Sequence, residues 1–427
     1  MPSSQSANLI LASLNLWSKV LVGDGFKRVF GNKSILYETD KSTHSLLRKL
    51  VGTSMTPTEL SRAVPSIQAA ANSQVDKMLQ GSSVEGNSSI VEMESVCNAF
   101  TLDVAWRQIL GLDLKNQKEI DEFHMYTKQW LDGLTDPRLM LPFLPGARFI
   151  KPVLAKKYLL EKVEQRLSTL DELGTSDGSS LGAIYFATDN DNGVRLTREQ
   201  VIDNALILIV AGSETSASTL TMAISLLGRH KDVWTKIKDE QAAVISKFGT
   251  NLSKDILDHE MPYLEAVIKE TLRLAPVPAM EFRKMGKTTV IDGMQIPKNY
   301  FVASSIRSTH EEDPATYMAD GSHMDPIRGF KPQRWLSDGS GADEGLQIPS
   351  EWMPWGIGLR RCVGERLAMT EMKTFLATLA RRVDFDLPAD EDERVFKFKS
   401  KTFMAKPKDK AKIIPRLAPL IPSTTQS

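Results

Sequence analysis

Apolar residues recur at three- and four-residue spacing along most of the chain, which predicts a mainly helical protein. One helix is expected through Leu46, Leu47, Leu50 and Val51, with Thr43 as its cap. Others are expected over residues 91–112 (ending at Gly111), 156–173, 204–227, 232–248 and 263–274, the last halted before Pro276. Strand signals are few and late. Residues 288–291 and 294–296 flank the turn pair Asp292-Gly293, and residues 300–306 read as one more short strand. Exposed Gly/Ser/Asp-rich loops are expected at residues 174–182 and 337–345. Residues 134–152 hold four prolines among apolar side chains and read as a long irregular connection of the kind that borders a substrate entrance.

The most apolar stretch, residues 205–227, is long enough to raise the question of a membrane span. Its middle holds Ser213, Glu214, Thr215, Ser216, Ser218 and Thr219, a cluster costly in lipid, so a buried core helix is expected. Residues 8–17 are short, carry two Asn and a Ser, and precede the first basic residue, Lys19; they read as neither leader nor anchor. No repeat and no shift of composition divides the chain, so one domain over residues 1–427 is expected. Lys+Arg and Asp+Glu both total 53, which removes any global pull toward nucleic acid. The 2 cysteines, Cys97 and Cys362, lie far apart; they fit no disulfide scaffold, zinc or c-type haem spacing and favour a reducing compartment.

The most informative segment is Pro354-Trp-Gly-Ile-Gly-Leu-Arg-Arg-Cys-Val-Gly364, a glycine-punctuated loop leading into an apolar-striped helix. Cys362 falls just before that helix's N-terminus, where amide N–H groups, Arg360 and Arg361 favour a thiolate. Gly356, Gly358 and Gly364 let a large flat ligand approach the backbone. Cys97, on an apolar helix without nearby glycines, reads as plain core.

This segment resembles the cysteine-ligand loop of the cytochrome P-450 family: Trp355, Gly358, Arg360, Cys362 and Gly364 fill its aromatic, glycine, basic, ligand and glycine places. The family usually has Phe where Trp355 stands. The resemblance extends to three further motifs. Glu270 and Arg273, i and i+3 on one helix, match the family's Glu-x-x-Arg pair, with Arg334 completing a structural cluster that holds the cysteine loop; by themselves they would read as a surface ion pair. Ala211-Gly212-Ser213-Glu214-Thr215 matches the widened helix where an acid–threonine pair relays protons to dioxygen. His44 and Arg48 stand where members carry Trp-x-x-x-Arg, and Arg283 where a second propionate-binding arginine falls.

The resemblance implies a mainly α fold with a small β-sheet region and a haem b (iron protoporphyrin IX) cofactor with Cys362 as iron ligand. Arg360, Arg283, His44, Arg48, Trp355, Gly358, Gly364, Ala211 and Gly212 would line the haem, with Glu214 and Thr215 catalytic. It implies a monooxygenase acting with O2 on a lipophilic substrate. The segment beginning at Leu141 is similar to branches that hydroxylate retinoids and sterols. Two alternatives stand beside it: a haem-thiolate isomerase or dehydratase of oxygenated lipids, and a degenerate, non-catalytic haem-binding protein. With no flavin or nicotinamide fingerprint in the chain, electrons are expected from an NADPH-dependent reductase or a ferredoxin. Only 43 residues precede His44, so the expected fold has a shortened front without anchor or first strands. The compartment stays open between cytoplasm, plastid and the surface of the endoplasmic reticulum.

Overall fold

The computed structural model describes residues 31–82, 90–133, 150–313, 315, 329–343, 346–389, 398–400 and 405–418. The expectations at residues 8–17 and 134–149 lie outside these. The helices are α1 (Lys41–Gly52), α2 (Pro57–Ser82), α3 (Met93–Val104), α4 (Gln117–Asp132), α5 (Ile150–Leu173), α6 (Ser180–Phe186), α7 (Arg198–Arg229), α8 (Lys231–Phe248), α9 (Lys254–His259), α10 (Pro262–Leu274), α11 (Ile306–Glu311), α12 (Ser340–Asp343) and α13 (Glu365–Arg382). The strands are β1 (Val91–Glu92), β2 (Met280–Lys284), β3 (Thr289–Ile291), β4 (Met294–Ile296), β5 (Phe301–Ser305), β6 (Val383–Asp386), β7 (Phe398–Ser400), β8 (Ala405–Pro407) and β9 (Lys412–Leu417). They form four small antiparallel sheets: β1-β9-β6, β2-β5, β3-β4 and β7-β8.

The 32-residue helix α7 is the axis of the core. A capping box fixes its start: Thr197 accepts from the Gln200 amide while the Gln200 side chain accepts from the Thr197 amide. It is long and apolar enough to cross a membrane by length and composition, but most of it is buried against α3, α10 and α13. The helices α2 and α13 pack against each other, and Ala63, Val64, Ile67 and Ala70 of α2 are buried in the core. Phe100 of α3 meets Phe375 of α13 at 4.6 Å between ring centroids.

Several expectations need correction. Residues 91–112 are not one helix: Val91 and Glu92 pair with Ile413 and Lys412, and residues 105–109 wind as a π turn before Gly111 takes a positive φ of 63°. The cap of α1 is Asp40, whose carboxylate accepts from the Thr43 amide at 2.8 Å, rather than Thr43. The loop at 174–182 ends in α6, which Ser179 caps, and the loop at 337–345 contains α12. Residues 150–152 of the proline-rich stretch already belong to α5. Ile306 opens α11 instead of closing a strand.

Candidate active site

Cys362 is held by a loop closed on itself. Its amide donates to the Trp355 carbonyl at 2.8 Å, the Gly356 amide to Met353 at 3.0 Å, and the Arg361 amide to Gly358 at 3.1 Å. Gly356 and Gly358 take φ of 69° and 67°, a region costly for other residues, so these two glycines let the loop fold. Gly364 differs: its φ is −89°, and a Cβ there would stand 4.0 Å from the Cys362 sulfur, so its smallness concerns space beside the thiol. Gly364 is also the N-cap of α13, which places the thiol beside that helix's free amides. Trp355 packs on the main core, and Cys97 is fully buried in it.

Cys362 itself is exposed. The thiolate-favouring surroundings read from the sequence are present but do not win. Crowding by protein atoms raises the thiol, and the Gly364 and Glu365 amides and Arg48 only partly pull it back, while Glu365 adds to the rise.

Three arginines and a histidine gather around the loop from distant segments. Arg360 lies next to Arg283 and Arg48, and burial together with their charges lowers it to about 10, against a partial offset from Glu38. His44 is buried and pushed down to about 4 by desolvation, Arg360 and Arg48, so it is neutral at pH 7. Arg48 Nη1 donates to the Arg361 carbonyl. Arg360 donates to the carbonyls of Ile35 (3.0 Å) and Glu38, tying residues 35–38 to the loop. Arg283 is buried on β2 and pairs with Glu281 at 2.6 Å.

Glu281 was not foreseen. A Cβ on Gly356 would lie 2.2 Å from its carboxylate oxygen, so it sits directly on the loop. Burial raises its carboxyl against the pull of Arg283. The available signal was its i, i+2 spacing from Arg283, which puts both on one face of a strand.

Glu270, Arg273 and Arg334 come together out of solvent, which excludes the surface-pair reading. Arg273 makes two parallel bonds to Glu270, both 2.9 Å, and Arg334 Nε a third at 3.1 Å. The Trp335 indole and the Lys331 amide complete the carboxylate's partners at 2.8 and 3.0 Å. Burial pushes Glu270 up, but Arg273 and Arg334 outweigh it and hold the carboxyl below its ordinary value.

On α7 burial is interrupted at residues 210–215: Ala211 is exposed, and Val210, Gly212, Glu214 and Thr215 are half-buried. The hydroxyls bond back into the helix, Ser213 to the Ile209 carbonyl and Thr215 to the Ala211 carbonyl, each at 2.6 Å. A Cβ on Gly212 would meet only Ile109 at 3.5 Å, an ordinary contact. One position past Thr215, Ser216 neighbours Glu371 of α13, a fully buried acid raised by desolvation to about 8.

An exposed thiol, an opened face on an otherwise buried helix, and a ring of cationic groups that repel one another fit a flat, iron-bearing group with carboxylate arms. The sequence also matches the cytochrome P450 profile over residues 19–413.

The chain belongs to the cytochrome P450 family.

It is therefore a haem-containing monooxygenase. It is 28% identical over 344 residues to the putative cytochrome P450 120 of Synechocystis sp., covering 81% of this chain and 71% of that protein. It is 27% identical over 394 residues to abscisic acid 8'-hydroxylase 2 of Arabidopsis thaliana, covering 91% of this chain and 75% of that one. The structure superposes on retinoic acid-bound cyanobacterial CYP120A1 with a TM-score of 0.78 at 25% identity, over 96% of this chain and 87% of the other. The fold is the mainly helical P450 fold with small sheets.

Proposed function

We propose that this P450 inserts one oxygen atom of O2 into a lipophilic, sterol-, retinoid- or other isoprenoid-like substrate, with Cys362 as the iron's protein ligand and residues 1–427 acting as one catalytic domain. The carrying observation is the exposed Cys362 thiol, in a self-closed loop at the start of a buried helix, with Arg48, Arg283 and Arg360 around it. The substrate class is supported by relatives named for abscisic acid, lanosterol and steroid oxidation, and by the retinoic acid in the superposed structure.

Each side chain has a role that follows from its chemistry. Cys362 gives up its proton on ligation. Arg360, Arg283 and Arg48 would hold the carboxylate arms as fixed charges, and neutral His44 would add a ring nitrogen. Trp355, Gly358 and Gly364 would line the cofactor on the cysteine-loop side, and Ala211 and Gly212 would line it from α7. When bound, haem ligated by a thiolate supplies the activation of dioxygen. The Thr215 hydroxyl spends its hydrogen on the Ala211 carbonyl, so its lone pairs face outward as acceptors; rotating away from that carbonyl turns it into a donor. Glu214, beside it, carries the acid that returns a proton. Glu270, Arg273 and Arg334 hold the frame behind the loop. Electrons come from an NADPH-dependent reductase or a ferredoxin.

A reduced, carbon-monoxide difference spectrum tests the ligand. A strongly red-shifted Soret band, lost in Cys362→His, is the expected result; a band typical of a neutral ligand in the unaltered protein overturns the assignment. A spin-state shift on adding retinoic acid, a sterol or another isoprenoid is expected, and none across these classes would overturn the substrate reading.

A further inference from the structure

The segment that enters the cysteine loop is gripped by two buried acceptors that none of the motifs above uses. His310, at the end of α11, is 1% exposed, and Asp313, three residues on, is 5% exposed. The Met353 amide donates to His310 Nε2 at 3.0 Å, and the Glu351 amide to Asp313 Oδ2 at 3.1 Å. The Ser350 hydroxyl adds a further bond to Asp313 at 3.1 Å.

The imidazole also looks the other way. Because Nε2 accepts, Nδ1 carries the proton, and it donates to the Arg273 carbonyl at 3.1 Å. Desolvation is the largest cause that lowers this histidine, to about 4, so it stays neutral and keeps that tautomer at pH 7. Asp313 is tied to the same frame: its Oδ1 accepts from the Ala315 amide at 2.9 Å, and the Ala315 carbonyl accepts from Arg334 at 3.1 Å. On the loop side, the Met353 carbonyl accepts from Gly356, which opens the turn toward Cys362. A continuous chain of hydrogen bonds thus runs from the Glu270–Arg273–Arg334 cluster through His310 into the loop.

We propose that His310 and Asp313 are positioning residues for Cys362: by accepting from the amides of Met353 and Glu351 they fix the segment that leads into its loop. The inference rests on Cys362 being the iron ligand. Loss of either acceptor leaves the segment free to shift, and the sulfur is then more readily replaced or protonated. The cluster itself remains intact.

The test uses the haem-loaded protein and two histidine variants that separate the ring's two jobs. His310→Gln can reach Met353 with its side-chain oxygen; His310→Asn keeps the shorter reach toward Arg273 and gives up Met353. Two readouts are taken: the rate at which the red-shifted carbon-monoxide band converts to the blue-shifted one, and hydrogen exchange of the amides in residues 350–356. In His310→Asn both are expected to rise about tenfold, the factor carried by one hydrogen bond of ordinary worth, while His310→Gln stays close to the unaltered protein. Asp313→Asn, isosteric but presenting an amide to the Glu351 donor, should behave like His310→Asn and serves where that variant does not accumulate. Unchanged rate and exchange in His310→Asn and Asp313→Asn would overturn the proposal, as would a His310→Gln variant as impaired as His310→Asn. Failure of the underlying ligand reading looks different: the unaltered protein would lack the red-shifted band, while the exchange readout would still report on the clamp.

Discussion

Polar groups behind Cys362 are tied across the chain, whereas a row of hydroxyls along α7 bonds back into its own helix. Arg48 reaches a carbonyl 313 residues away and Arg360 one 325 residues away, and Glu270 gathers partners up to 65 residues distant. By contrast, Ser213, Thr215, Thr219 and Thr221 each return to the carbonyl four residues back. The first arrangement resists displacement, because moving one group leaves buried charge uncompensated. The second can exchange partners at small cost, which suits a hydroxyl that must accept and then donate a proton.

The largest effect is expected from breaking the braced side. Arg273→Ala takes two of the Glu270 carboxylate's bonds and leaves Arg334 as its charged partner, and should cost about 3–5 kcal/mol, read as a fall in the denaturant midpoint with loss of haem uptake. A cost below about 1 kcal/mol would show that the cluster does not brace the loop.

Next comes pH, which separates the two sides because their buried groups titrate in opposite directions. Glu371 is raised to about 8, so the folded state holds its proton; the stability linked to it is fully present below about 4.5 and lost as pH climbs through about 8. Glu371→Gln should remove that alkaline loss, on the order of a few kcal/mol at pH 9, and change little at pH 4.5. His310 and His44 are both lowered to about 4, so stability falls as pH drops from about 6.5 toward 4. Thermal unfolding measured across pH for Glu371→Gln and the unaltered chain tests both limbs; an alkaline limb that survives in the variant would contradict the assignment.

Two substitutions on α7 should leave the fold nearly untouched. Gly212→Ala should stabilise the protein by about 1 kcal/mol through helix propensity, since its Cβ meets only Ile109 at an ordinary distance. Haem uptake should nevertheless fall, because the methyl stands on the face that would line the cofactor. Thr215→Ala removes a half-buried hydroxyl and should shift stability by no more than about 0.5 kcal/mol. Its effect belongs in the chemistry: more oxygen should be consumed per molecule of product. Unchanged turnover in the variant would favour an isomerase or dehydratase that needs no dioxygen.

Much of the helical frame was legible. The expected helices at 204–227, 232–248 and 263–274 fall within α7, α8 and α10, because their apolar spacing is long and uninterrupted. The helix α2 was missed, since Pro65 inside it reads as a breaker, yet the helix runs on through it with Ala63, Val64 and Ile67 buried in the core. Strands β6 and β9 were missed as well; Pro415 interrupts the latter, and both owe their conformation to pairing with each other. His310 and Asp313 escaped notice because no local pattern distinguishes them from surface polar residues.

The sequence by itself determined the chemistry of the cysteine loop, because Trp355 to Gly364 are contiguous and their turns depend on glycines at fixed local positions. It also determined which helix would carry hydroxyls and an acid in an apolar run. Only the tertiary structure decided that His44, Arg48, Arg283 and Arg360 share one electrostatic neighbourhood, that the Cys362 thiol is raised instead of lowered, and that Glu270 is buried. Charge state and burial are set by whatever neighbours the fold supplies, and here those neighbours come from segments hundreds of residues apart.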